Sequence, residues 1–146
     1  MAGGKMGSFE ILEHPADIGF SFQGETLEEA FVQAGRALLF LQGGEEALRS
    51  LSSNERVSIE VEGNDLLEVL YDWLSEILFF FDSEQLLLGE FHFEKLDEHG
   101  AKASVGGQKF DQTKFETPYY VKAITYHEMK LEKGEGGWHG RVFVDI

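Results

Sequence analysis

The chain contains no cysteine. Disulfides, thiolate nucleophiles and cysteine-ligated zinc or iron–sulfur centres are therefore excluded, and any metal or catalytic chemistry must use oxygen or imidazole donors. Proline is scarce as well: Pro15 and Pro118 are the only two in 146 residues, too few to mark a proline-rich linker. No apolar run is fit to cross a membrane, because Glu68, Asp72, Ser75 and Glu76 interrupt the longest one, residues 66–81. The first seven residues hold one cation with no apolar segment behind it, which does not read as a secretory signal. The expectation is a soluble, cytoplasmic protein without a membrane partner. Cations are also few, with 12 Lys and Arg against 27 Asp and Glu, giving a formal net charge of -15. Holding nucleic-acid phosphates requires clustered cations, so a direct RNA or DNA clamp is excluded.

What the chain does have is apolar material. Hydrophobic residues make up 42 % and aromatics 13 %, with 13 Phe, so a packed core is within reach and disorder is excluded as the main state. Neither a repeat nor a low-complexity tract divides it, and one domain over residues 8–146 is expected, preceded by a flexible segment, residues 1–7. Residues 9–14 and 18–23 read as strands, the second through the alternation of Ile18, Phe20 and Phe22, on either side of an acidic bend at Pro15–Asp17. Thr26 with Glu29 is a capping-box pattern, and Leu27, Phe31, Ala34, Leu38 and Leu41 follow at helical spacing until Gly43 and Gly44 stop them. Val57, Ile59 and Val61 mark another strand. Asn64 then stands in place to cap a second helix lined by Leu66, Leu70, Trp73, Ile77 and Phe81, predicted to be the more buried of the two. From Leu86 the period becomes 2, in residues 90–94, 101–108, 121–131 and 138–144. The pattern predicts an α+β domain with two amphipathic helices packed on a mainly antiparallel sheet.

Phosphate-binding glycine loops, nucleophile elbows and paired-histidine helices are missing. Gly106 and Gly107, within a strand, point to a bulge or a close contact. Three segments put polar groups where packing does not ask for them. Around Pro15, His14 and Asp17 either form a side-chain-capped turn or approach a metal or a phosphate-linked ligand. Lys122 lies in an otherwise apolar strand, as an edge-strand lysine or as a cation needing a carboxylate. Residues 142–146 form an apolar strand that looks made to dock, fixing the Asp145 side chain and the Ile146 α-carboxylate. An even-numbered loop at residues 133–137 places Asp145 and Lys122 on one face, and an odd one separates them. Convergence of Asp17 would give three oxygen donors suited to Mg²⁺, Mn²⁺ or Ca²⁺; a structural ion-pair cluster explains the same residues.

Taken in order, residues 14–19 (His-Pro-Ala-Asp-Ile-Gly), 24–31, 73–78, 121–127 and 144–146 resemble the archease family, over nearly the whole chain from Phe9. The resemblance implies a protein without catalysis of its own. Its expected partner is the GTP-dependent tRNA-splicing RNA ligase, which joins ends bearing a 3′-phosphate or 2′,3′-cyclic phosphate to a 5′-hydroxyl and whose guanylylation and multiple turnover the family promotes. RNA would be met only through that ligase, and DNA not at all. The resemblance further implies a divalent-metal site at Asp17, Asp145 and the Ile146 carboxylate, with Lys122 functional beside it and His14 near the partner or nucleotide. Pro15, Ser75, Gln108 and Phe115 depart from the usual family residues Thr, Asn or Asp, Glu and His, and leave the implied ligands intact. The contrasting expectation is a general chaperone or protein-modulating module whose exposed aromatics bind partly folded clients.

Overall fold

The computed structural model describes residues 7–14 and 17–146, the His14 side chain excepted. The bend at Pro15 and Ala16 and the expected flexible leading segment lie outside these residues, apart from Gly7, which opens the first strand. Ten elements follow: β1 (Gly7–His14), β2 (Asp17–Gly24), α1 (Leu27–Ser50), β3 (Glu55–Glu62), α2 (Leu66–Glu84), β4 (Leu86–Asp97), β5 (Gly100–Lys109), β6 (Ala123–Ile124), β7 (Lys130–Gly134) and β8 (Gly137–Asp145). The α+β expectation holds, with the strands divided between two antiparallel sheets. One runs β1-β2-β8-β6, with β7 also paired to β8; the other runs β3-β5-β4. Both helices touch both sheets, and a main core forms between them, with a second, smaller cluster of Leu39, Ala47, Phe81, Leu87 and Phe115.

Alternation in β2 sends Ile18, Phe20 and Phe22 into that core. Trp73 sits at its centre, with Phe93, Phe91 and Phe31 at ring-centroid distances of 4.7, 5.6 and 6.4 Å. Full burial of each such side chain contributes about 1.5–3 kcal/mol.

Four expectations change. First, α1 does not stop at Gly43 and Gly44: the helix breaks at Gly44 and resumes as far as Ser50. Gly44 has φ 76° and ψ -171°, a region nearly confined to glycine, and a Cβ there would meet the Glu116 carbonyl oxygen at 2.8 Å. Second, Asp65 rather than Asn64 caps α2: its carboxylate accepts the Glu68 N–H at 2.9 Å, while Glu68 accepts from the Asn64 N–H at 2.8 Å. Third, α1 is the more buried helix, because Ala30, Ala34, Gly35 and Ala37 let it sit close between the sheets, whereas α2 turns Phe79 outward. Fourth, residues 121–131 are not one strand. Only Ala123–Ile124 and Lys130–Gly134 pair with β8, and the chain leaves the ladder between them, with Glu128 at φ 51°. The close-contact reading of the glycine pair stands, since a Cβ on Gly107 would lie 1.8 Å from the Leu87 carbonyl oxygen.

Candidate functional site

β8 is an interior strand. Residues 138–144 pair with β2 on one edge, and β7 and β6 occupy the other. The docked strand expected for residues 142–146 is observed as far as Asp145, which it carries to one end of the sheet. Register does the rest. Ile18 and Val144 form the last rung of the ladder, and Asp17 and Asp145 stand one residue beyond it on the two neighbouring strands, at the same sheet end. On the other side Ala123 pairs with Asp145. His14 closes β1 opposite Asp17.

Lys122 reaches the same strand end by its backbone. Its N–H donates to the Asp145 carbonyl at 2.7 Å although Ala123 is Asp145's register partner, so two residues oppose one, as in a bulge. The parity argument fails for a visible reason. The hairpin loop is even, with Gly134 opposite Gly137, yet the excursion between β6 and β7 shifts the register by three residues. That odd step makes Ala123, not Lys122, the residue facing Asp145. The Lys122 side chain is exposed and forms no ion pair among the described residues.

The two carboxylates project from the sheet face opposite Ile18, Phe20 and Val144, and both residues are exposed. Among the described residues neither is in an ion pair or accepts a side-chain hydrogen bond. Like charges directly opposite one another destabilise a strand pair. This arrangement fits a hard divalent cation, which takes carboxylate oxygens and cancels the repulsion. Among the described residues no three His, Cys, Asp or Glu side chains gather. Ile146, which follows Asp145 and is half exposed, is adjacent.

The bracing of this strand end was not apparent from the sequence. Arg141, Phe143 and Asp145 alternate onto the same outer face, where Phe143 is only 8 % exposed. It covers Gly19, whose Cβ would meet Phe143 Cδ1 at 2.6 Å and the Val142 carbonyl at 2.5 Å. The Arg141 guanidinium lies 5.9 Å from the ring centroid and the His127 ring 5.8 Å from it. Arg141 Nε donates to the Glu128 carbonyl at 3.2 Å and its Nη2 pairs with the Glu128 carboxylate at 3.6 Å. The Thr125 hydroxyl donates to the Phe143 carbonyl at 2.8 Å. The excursion thus clamps β8 just before Asp145. Its one legible signal is the period-2 alternation of Arg141, Phe143 and Asp145.

Comparison with known proteins supplies the context for this geometry. Residues 9–146 match the Archease protein family (MTH1598/TM1083). Protein archease of Pyrococcus furiosus is 39 % identical over 97 % of this chain and 100 % of its own length. Protein archease of Methanosarcina mazei is 37 % identical over 94 % of this chain and 95 % of its own. The solution structure of Methanobacterium thermoautotrophicum protein 1598 superposes with a TM-score of 0.77 at 28 % identity, covering 94 % of this chain and 98 % of that one.

Proposed function

Because the chain belongs to the archease family, we propose that it is an accessory protein without catalysis of its own, activating a GTP-dependent RNA ligase that seals 3′-phosphate or 2′,3′-cyclic phosphate ends to 5′-hydroxyls. The observation that carries this reading is the pair Asp17 and Asp145, opposed across β2 and β8 without a cation among the described residues, at the strand end where Lys122 is tied to Asp145. Asp17, Asp145 and the α-carboxylate of Ile146 would hold a divalent ion, Mg²⁺, Mn²⁺ or Ca²⁺. Such an ion, when bound, supplies positive charge that stabilises developing phosphate charge.

The chain's own residues do the positioning. β8, fixed on both edges, holds Asp145 in place, and the Phe143 and Arg141 clamp limits how far that strand end moves. The exposed Lys122 side chain presents an ammonium to an incoming nucleotide phosphate, and His14, closing β1, stands at the same sheet end. RNA is met only through the ligase, consistent with a charge of -15.

The test is ligase guanylylation and turnover with and without this protein. Stimulation of both is expected, together with weaker divalent binding when residues are appended after Ile146. Suppressed aggregation of unrelated proteins with no effect on the ligase would favour the general chaperone reading instead.

A further inference from the structure

Helix α2 carries Glu68, Asp72, Glu76, Asp82 and Glu84 and not one Lys or Arg. Its core side is Val69, Leu70, Trp73, Leu74, Ile77, Leu78 and Phe81. At 100° per residue, Glu68, Asp72, Ser75, Glu76, Phe79 and Asp82 fall on the opposite side as one stripe. Phe79, near its centre, is 56 % exposed, with Phe80 edge-on to it at 6.0 Å. None of the four stripe acids is in an ion pair among the described residues. The stripe thus sets one exposed phenyl ring among carboxylates that no cation meets among the described residues.

We propose that this outer stripe of α2 is a docking surface for a basic segment of the protein partner, anchored by an apolar side chain on Phe79 and flanked by Lys or Arg over the four carboxylates. The occupant follows from charge complementarity. RNA is repelled by the stripe, and a second copy would bring acid against acid in a chain of net charge -15. A basic protein segment gains from both the ring and its rim. Partial burial already holds the Asp72 carboxyl above its ordinary range, with Glu68 adding to it, and does the same for Asp82. A cation laid on the stripe relieves that cost. Tyr71, at the margin of the stripe, stacks on Tyr126 with centroids 4.1 Å apart and planes 6° apart. Tyr126 belongs to the excursion that braces β8, so the margin of the stripe is tied to that segment.

This inference rests on the reading that the partner is an RNA ligase, and the experiment separates the two. The ligase is titrated with the full chain at low and physiological salt, using the wild type, Phe79→Ser, the pair Glu76→Lys with Asp82→Lys, and Asp17→Ala. Both stripe variants are expected to weaken binding at least about tenfold, the magnitude of losing one interface anchor. The charge-reversed pair should also lose most of the salt dependence, with melting temperature and divalent binding unchanged in both. Wild-type affinity in both stripe variants, while Asp17→Ala abolishes stimulation, overturns the docking surface alone. No binding by the wild type overturns the ligase reading and the surface together. A dimer of the chain, or a bound single-stranded RNA, that is lost on Phe79→Ser also overturns the proposal.

Discussion

Asp17 and Asp145 are placed by register, not by a loop: each sits at the end of a strand whose next residue, Ile18 or Val144, is buried in the core. Two carboxylates held this way, without an ion pair among the described residues, cost stability unless a cation joins them. Asp145→Asn is therefore expected to raise the metal-free stability by about 0.2–1 kcal/mol, and to abolish the rise in melting temperature that the proposed metal site predicts for the wild type in a divalent ion. Differential scanning calorimetry in chelator and in excess Mn²⁺ reads both effects. A variant that loses stability in chelator and keeps the metal-dependent rise would remove both carboxylate roles. At this scale the sequence was informative where chemistry is unusual for its position. Asp17 beside a proline, Lys122 in an apolar strand and Asp145 in an apolar ending all stood out, and all lie at one sheet end. Arg141, Phe143 and His127 did not, because a phenylalanine on the outer face of a sheet looks like any core phenylalanine until the register is known.

Elements were legible where period and caps agreed. The Thr26 hydroxyl accepts the Glu29 N–H at 3.0 Å as its spacing predicts, although the Glu29 carboxylate is taken by the Gln33 amide at 2.8 Å. The stop expected at Gly43 and Gly44 is instead a kink at Gly44, where the chain packs against Glu116 and Pro118 and the helix then resumes to Ser50. Gly44→Ala puts a Cβ in a backbone region that nearly excludes it. A loss of about 1–3 kcal/mol is expected in denaturant unfolding, accompanied by release of the packing between α1 and the Glu116 segment. An unchanged midpoint would mean that the kink relaxes without cost. The broken strand at residues 121–131 was illegible for a different reason. Its apolar alternation is intact, and the three-residue shift comes from Glu128 in the left-handed region and from the Arg141 clamp, neither of which has a local pattern.

For the whole molecule, composition excluded more than it identified. A charge of -15 removed direct nucleic-acid binding from consideration, and the structure shows where some of that charge is concentrated: on the outer stripe of α2 and at the sheet end. Opposite fields speed encounter with a basic partner and leave the complex sensitive to salt. The two-sheet division was beyond the pattern because alternation reports which face of a strand is buried, not which strand lies next to it. In the proposed function the two strand-end carboxylates, and not the general acidity, carry the activation. Multiple-turnover RNA ligation with Asp17→Ala tests it most directly: a fall to the rate of the ligase alone is predicted, with the fold and ligase affinity retained. Full stimulation by a correctly folded Asp17→Ala protein would contradict it.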